Sequence, residues 1–287
     1  MIFSHQNSQF RPFGFARSIL FAGISFCLLH PAFANAQDVL FIGNSYTAGD
    51  GLPELQKFGA VPKLVELIAT SKGKSLSTGK VIAGGKDLGY QLQQAETLAQ
   101  LSAKKWNYVV LQDLSTKPTK VINKATQKPN VEEFFENGVL FYKKIREVNP
   151  ATKVVLYQTW ARGKDGTFFA GYKGPDEMFA AIIANYAEQA RRLEELEPGD
   201  QILLAPVGAA FQMCLAKYPA INLYNPDNHH ATVSGLYLSA LVIYATITND
   251  TPAGATNVFG SVTIPEEVAQ QLQDIAVEIT APQRADK

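Results

Sequence analysis

The sequence has no excess of charge of either sign, and this absence narrows the choice of partners. Lysine and arginine together number 26, as do aspartate and glutamate, and no stretch is rich in basic residues. Binding to nucleic acid or to an anionic membrane surface usually depends on such a basic excess. We therefore expect neither partner. Hydrophobic residues make up 46% of the 287-residue chain, which is enough for one large core without a metal or a disulfide to stabilise it.

Residues 1–36 have the layout of a secretory signal peptide. Its parts are Arg11 and Arg17, a short apolar stretch over 18–29, and small-x-small sites at 32–34 and 34–36. The apolar stretch is short for a membrane span. We predict cleavage near Ala34 or Ala36 and a secreted or periplasmic protein without stable membrane insertion; an uncleaved N-terminal anchor is the alternative.

Cysteine and histidine are scarce, with two and four residues, and cleavage would remove half of each. Cys214 would remain alone, so no internal disulfide is expected. Its apolar surroundings favour a small buried residue over a second nucleophile. The adjacent His229 and His230 would be the only histidines, and any histidine catalysis would depend on them. No cluster of histidine, cysteine and acidic residues shows metal-ligand spacing, so we predict neither a metal nor a cofactor.

Short apolar runs alternate with longer helical patterns after the signal peptide. The runs predict strands at 38–42, 77–83, 107–111, 153–157 and 201–205. The helical patterns predict helices at 60–72, 88–101, 131–148, 176–196, 234–248 and 265–279. This alternation favours a parallel sheet that is covered on both faces. We predict an α/β fold, a flavodoxin-like three-layer sandwich with a five-stranded parallel sheet, formed by one domain over 37–287.

Ser45 directly follows the first predicted strand, in the run Gly43-Asn44-Ser45-Tyr46-Thr47. Ligands of open parallel sheets bind beyond the carboxyl ends of the strands, so this serine is expected to face the crevice. A serine in such a place is often a helix cap or a turn residue. A flavodoxin-like phosphate- or ligand-binding protein is another alternative, because Gly49 and Gly51 follow and backbone N–H groups there can hold a phosphate.

A base for this serine is available near the C-terminus, in Tyr224-Asn225-Pro226-Asp227-Asn228-His229-His230. Serine becomes a nucleophile when a base takes its proton, and a third group must orient that base. The spacing of Asp227 and His230 would place a carboxylate beside Nδ1 and leave Nε2 to face Ser45. The alternatives are a helix cap for Asp227 and a polar loop tip for His230. Together with Ser45, the two residues favour a Ser-His-Asp triad.

These segments resemble the sequence blocks of the SGNH (GDSL-like) hydrolases. The first block corresponds to Gly43-Asn44-Ser45-Tyr46, and the last to Asp227-Asn228-His229-His230. The Asp-x-x-His spacing of the family assigns the base to His230 and not to His229. The resemblance implies an SGNH-type fold and an esterase that acts through an acyl-enzyme. Together with the predicted signal peptide, it predicts an exported enzyme for a small-molecule or carbohydrate ester, acetyl esters included.

The resemblance also implies an oxyanion hole made by the N–H groups of Ser45 and Gly85 and by the side chain of Gln112. Gly84 is an alternative to Gly85. Many family members carry an asparagine where this chain has Gln112, whose side-chain NH2 group can also donate to an oxyanion. A relative that has lost activity and binds glycans is the alternative implied by this departure.

Trp160 lies in the run Gln158-Thr159-Trp160-Ala161-Arg162, which follows the fourth predicted strand. It is a weak candidate for substrate binding, because an indole stacks well on a sugar ring or packs against an acyl group. Packing in the core is the alternative for this residue.

Overall fold

The centre of the protein is a sheet of five parallel strands in the order β2-β1-β3-β4-β5. The computed structural model describes residues 1–2 and 36–285. The strands are β1 (Gln37–Gly43), β2 (Leu76–Ile82), β3 (Tyr108–Leu111), β4 (Lys153–Tyr157) and β5 (Leu203–Ala205). Val39 to Ile42 in β1 are at most 1% exposed, so both faces of this strand are covered. The predicted five-stranded parallel sheet is confirmed.

Helices surround the sheet in two groups. They are α1 (Ser45–Ala48), α2 (Pro53–Phe58), α3 (Ala60–Ser71), α4 (Leu88–Leu92), α5 (Ala95–Ser102), α6 (Asn130–Val148), α7 (Pro175–Leu196), α8 (Val207–Lys217), α9 (Val233–Thr248) and α10 (Glu266–Ala285). Helix α9 packs against α3, α8 and α10, whereas α6 packs against α4, α5 and α7. This arrangement confirms the predicted α/β three-layer sandwich.

The direction in which the chain adds strands reverses at β1. The chain passes from β1 outward to β2, and then crosses back to pair β3 with the other side of β1. Such a reversal leaves a crevice at the carboxyl ends of the two strands, where ligands bind in open parallel sheets. Ser45 follows β1 and Gln112 follows β3, so both residues lie at this crevice.

Several parts of the chain differ from the predicted elements. Helices α1, α2 and α8 have no counterpart among the predicted helices. The helix predicted over 88–101 is two helices, α4 and α5. The buried side chain of Gln91 in α4 donates to the carbonyl of Gly43 at 3.0 Å and accepts from the hydroxyl of Thr97 at 2.8 Å, which ties α4 to the end of β1. A small hairpin, β6 (Val258–Phe259) and β7 (Val262–Thr263), has strands too short to show a periodic pattern.

The predicted signal peptide over 1–36 lies almost wholly outside the described residues. Its cleavage near Ala34 or Ala36 therefore stays a prediction, as does the single domain over 37–287. Within the described ranges, no helix combines the length and the apolar character needed to cross a membrane.

Candidate active site

Ser45 is the first residue of α1, just beyond the end of β1. A Cβ atom at Gly43 would lie 2.6 Å from Oγ1 of Thr47, so only glycine fits where the strand turns into the helix. The side chain of Asn44 caps α1 by accepting the N–H of Tyr46 at 3.2 Å. Ser45 is 8% exposed, and neither its hydroxyl nor its N–H has a hydrogen-bond partner among the described residues. Both groups are thus free to contact a ligand.

Asp227 and His230 form the predicted pair of orienting group and base. Nδ1 of His230 lies 2.6 Å from Oδ2 of Asp227. The other carboxylate oxygen accepts the backbone N–H groups of His229 and His230 at 3.0 and 2.9 Å. The intervening Asn228 has a φ of 58°, a left-handed conformation that asparagine tolerates, and this turns the chain back on itself. With the proton on Nδ1, Nε2 of His230 is the atom that accepts a proton.

The electrostatic environment of Asp227 and His230 favours proton transfer at the imidazole of His230. Burial raises the pKa of the Asp227 carboxyl, but the hydrogen bonds from His229 and His230 outweigh this effect and lower the pKa to about 2. The carboxylate is therefore ionised at neutral pH and stabilises an imidazolium that forms at His230. Burial, together with the positive charge of Arg162, lowers the pKa of His229, so that this imidazole is neutral at neutral pH.

The loop over residues 224–231, which we call the catalytic loop, is closed by a bridge between Tyr224 and Ala231. It is attached to the segment that follows β4 by three hydrogen bonds. They join Trp160 Nε1–H to the carbonyl of His229 at 2.9 Å, Gly163 N–H to the carbonyl of Asn228 at 2.8 Å, and the hydroxyl of Tyr224 to the carbonyl of Ala161 at 3.0 Å. The segment after β4 therefore helps to position the loop that carries the predicted base, His230.

Trp160 is a core residue that is hydrogen-bonded to the catalytic loop. Its side chain is fully buried. The indole stacks between the rings of Tyr46 and Phe211, with a centroid distance of 4.3 Å on each side. These contacts oppose the prediction that Trp160 binds substrate, because both faces of the ring are covered by other side chains.

Tyr46 brings the nucleophile segment and the catalytic loop together. Its ring stacks on Trp160 and meets the ring of His230 nearly at right angles, with centroids 5.7 Å apart. Since Ser45 precedes Tyr46, the predicted nucleophile and base lie on contacting elements. The hydroxyl of Ser45 makes no hydrogen bond with His230 in this structure; such bonds are often long in unliganded enzymes and shorten when substrate binds.

Gln112 lies at the crevice, but its amide is used entirely within the protein. The residue is 1% exposed. Oε1 accepts from the N–H of Asn44 at 3.0 Å and from the hydroxyl of Thr47 at 2.9 Å. Nε2 donates to Oδ1 of Asn44 at 2.9 Å and to the carbonyl of Asp113 at 2.5 Å. Neither amide hydrogen is left for an oxyanion, so these contacts oppose the predicted role of Gln112 and make it a support for the cap of α1.

We expect the substitution Gln112→Leu to destabilise the protein. It leaves the buried N–H of Asn44 and hydroxyl of Thr47 without their acceptor, at a cost of about 1–3 kcal/mol for each unsatisfied group. The loss is measured by urea unfolding. Gln93→Leu is the control, because it makes the same chemical change at an exposed position. If Gln112→Leu leaves stability unchanged and reduces kcat, the predicted role of Gln112 as an oxyanion donor is supported instead.

Gly85 lies in a turn beyond the end of β2, with a positive φ of 67°. The turn is attached to the start of α1, because the carbonyl of Lys86 accepts from the side chain of Asn44 at 2.9 Å. Within the described residues, the N–H groups of Gly84 and Gly85 have no hydrogen-bond partner. Both glycines therefore remain candidates for an oxyanion donor beside the N–H of Ser45.

Asp113 is a buried carboxyl group behind the crevice, with 1% exposure. Its Oδ1 accepts the N–H groups of Leu88 and Leu114 at 3.0 and 2.7 Å, whereas Oδ2 has no partner in the described part of the chain. Burial raises the pKa of Asp113 to about 7, and the carboxylate of Asp87 adds to the effect, although the two backbone hydrogen bonds oppose it. The group thus titrates near neutral pH.

We expect this titration to make stability fall as the pH rises. The pKa of Asp113 is about 7 in the folded protein against an ordinary value of 3.8. Its protonated form therefore contributes stability that is complete below the ordinary value and is lost as the pH rises through 7. At ~1.4 kcal/mol per pKa unit, the loss is on the order of 4 kcal/mol. The loss is measured by urea unfolding of the wild type and of Asp113→Asn between pH 4 and pH 8. We expect the variant to become more stable relative to the wild type as the pH rises. A difference in stability that stays constant over this range would contradict the raised pKa of Asp113.

Asp227, His229 and His230 also have the spacing of metal ligands. One ligand atom from each lies within 4.8 Å of the others. The statement that no such cluster exists, made from the sequence, is therefore wrong. A metal bound here would compete with the contact between Asp227 and Nδ1 of His230, which orients the base. The absence of a catalytic metal stays a prediction.

We expect EDTA to leave the predicted ester hydrolysis unchanged, because the Ser-His-Asp triad predicted from the sequence needs a free Nε2 on His230 and no Lewis acid. Activity is measured on a chromogenic acetyl ester before and after treatment with the chelator and dialysis. A loss that added Zn²⁺ restores would show that the Asp-His-His group holds a functional metal.

Comparison with known proteins shows similarity at the level of structure. No family model and no curated protein matches the chain. A DUF4886 family protein from Bacteroides uniformis superimposes with a TM-score of 0.66 and 17% identity, covering 88% of this chain and 97% of that one. A putative GDSL-like lipase from Parabacteroides merdae has a TM-score of 0.54 and 18% identity, with 76% and 99% covered. A catalytic mutant of Axe2, an acetylxylan esterase from Geobacillus stearothermophilus, has a TM-score of 0.54 and 16% identity, with 74% and 94% covered.

At these identities the likeness establishes the fold. The protein therefore has the α/β fold of the SGNH (GDSL-like) hydrolases, and the resemblance seen in its sequence blocks is confirmed at that level.

Proposed function

We propose that this protein is an exported serine hydrolase that cleaves carboxylic esters, including acetyl esters on carbohydrates. The observation that carries the proposal is the contact of 2.6 Å between Asp227 and Nδ1 of His230, on a loop whose base touches the residue after Ser45. The structures with the same fold include proteins described as a lipase and an acetylxylan esterase, which supports this class of reaction.

In the proposed reaction, the hydroxyl of Ser45 attacks the ester carbonyl while Nε2 of His230 takes its proton. The carboxylate of Asp227 keeps the proton of the imidazole on Nδ1 and stabilises the imidazolium. His230 then gives the proton to the leaving alcohol, and an acyl-enzyme remains on Ser45. Water repeats the sequence and releases the acid.

The tetrahedral oxyanion is proposed to bind two backbone donors, the N–H of Ser45 at the start of α1 and the N–H of Gly85. These groups have no partner among the described residues, and Asn44 contacts both segments that carry them. Donors that are fixed before the reaction stabilise developing charge without reorganisation. The side chain of Gln112 acts one step away, through its four hydrogen bonds to Asn44, Thr47 and Asp113.

A panel of esters tests the proposal. The p-nitrophenyl esters of acetate, butyrate and octanoate are assayed beside acetylated monosaccharides, with Ser45→Ala protein as the control for spontaneous and contaminant hydrolysis. We expect turnover of acetyl esters by the wild type alone. Absence of turnover on every ester, in a folded protein, would contradict ester hydrolysis.

A further inference from the structure

A cavity of about 740 Å³ adjoins the catalytic loop. Its wall is formed by the segment after β4, the start of α7, the end of α8 and the catalytic loop itself. Its charged lining residues are Arg162, Lys164, Asp165 and Asp176, and the catalytic loop contributes the amides of Asn225 and Asn228. Because Asn228 directly follows Asp227, the cavity adjoins the loop that carries the proposed base, although Ser45, Asp227 and His230 are not among its lining residues. The volume is typical of small-molecule sites and far exceeds that of a short acyl group.

The guanidinium of Arg162, in the wall of this cavity, has one hydrogen-bond acceptor among the described residues. Nη1 donates to the hydroxyl of Tyr46 at 3.4 Å. Nε is buried without a partner, and within the described residues no carboxylate pairs with the group. Five N–H donors lie in the planar fork of a guanidinium, and a buried charged donor without an acceptor is costly. Because Arg162 lines the cavity, a ligand there can supply an acceptor to this cation.

A carboxylate is the ligand group that fits this arrangement. The planar fork of an arginine matches the two oxygens of a carboxylate, and such pairs are stronger than neutral hydrogen bonds. Asp165 lines the same cavity but is exposed and forms no ion pair with Arg162 among the described residues. The positive charge of Arg162 also acts on His229 and Tyr46, which places it close to both halves of the catalytic machinery. The cation is thus both near the triad and free to bind an anion.

We propose that the alcohol part of the ester substrate carries a carboxylate, as in an acylated uronic acid, and that Arg162 binds this carboxylate in the cavity beside the catalytic loop. The inference rests on the proposed ester hydrolysis and adds the substrate class. The alcohol part is assigned to the cavity because of its volume, whereas the short acyl group stays at Ser45.

A matched pair of substrates tests the inference. The kcat/KM for acetate release is measured on acetylated glucuronic acid and on acetylated glucose. We expect the wild type to prefer the acidic sugar by about 10-fold or more, which is the usual effect of a hydrogen bond to a charged group. Arg162→Gln brings the ratio close to one, Arg162→Lys gives an intermediate ratio, and Lys105→Ala, at an exposed lysine that does not line the cavity, keeps the wild-type ratio. A wild-type ratio near one, or a preference that survives in Arg162→Gln, would overturn the proposal.

A binding measurement separates this inference from the proposed reaction. Calorimetry with Ser45→Ala protein compares glucuronate with glucose, and the double variant Ser45→Ala/Arg162→Gln is the control. We expect glucuronate to bind about 10-fold or more tightly than glucose, and this advantage to vanish in the double variant. If glucuronate binding depends on Arg162 but the wild type hydrolyses no ester, the proposed ester hydrolysis is refuted and the anion site is supported. If the wild type hydrolyses esters but shows no preference for glucuronate, the anion site is refuted and the proposed ester hydrolysis is supported.

Discussion

The substitution Ser45→Ala is expected to reduce kcat for an acetyl ester by about a million-fold, to the level set by the remaining binding groups. The variant keeps the N–H of residue 45 and hence the proposed oxyanion contact, but it has no oxygen to attack the carbonyl. The loss is measured as acetate release at saturating substrate.

The folded state should hardly change in this variant. Among the described residues, the hydroxyl of Ser45 makes no hydrogen bond that alanine would break. We therefore expect the free energy of unfolding to stay within about 0.5 kcal/mol of the wild-type value. A Ser45→Ala protein that is folded and fully active would refute the assignment of the nucleophile.

Replacing His230 by alanine is expected to reduce kcat about as much as Ser45→Ala does, because the serine hydroxyl is a weak nucleophile when no base takes its proton. The adjacent His229 gives a matched control. Its ring is not bonded to the carboxylate of Asp227 as closely as that of His230, with 3.5 Å against 2.6 Å from Nδ1. We expect His229→Ala to lose less than about tenfold in kcat, since its backbone contacts remain.

The comparison of the two histidines is made on the same ester and at the same pH, with circular dichroism to confirm folding. If His229→Ala loses more kcat than His230→Ala does, the base is His229 and not His230. It would also contradict the reading of the last block as Asp-x-x-His.

The strands and the Asp-x-x-His turn could be predicted because their signals are local. Apolar runs identified all five strands within a few residues, and the spacing of Asp227 and His230 gave a contact that the structure contains. The alternative roles for two of the candidates are also resolved locally. The cap of α1 is Asn44 and not Ser45, and the cap of α9 is Thr232 and not Asp227.

The roles of Trp160 and Gln112 could not be predicted, because contacts between distant parts of the chain decide them. Trp160 follows a strand, as a substrate-binding residue would, but Tyr46 and Phe211 cover its two faces. Gln112 occupies the place of a family asparagine, but its longer side chain reaches Asn44 and Thr47. The lack of a partner for Nε of Arg162 among the described residues likewise depends on contacts between distant parts of the chain.

The stack of Trp160 between two aromatic rings gives the protein an optical probe at its proposed catalytic centre. The chain has two tryptophans, and the other, Trp106, donates its indole N–H to the carbonyl of Gln100, away from the crevice. The indole of Trp160 is instead bonded to the carbonyl of His229 in the catalytic loop. In a protein with Trp106→Phe, the fluorescence of the remaining indole would therefore follow any displacement of that loop in real time.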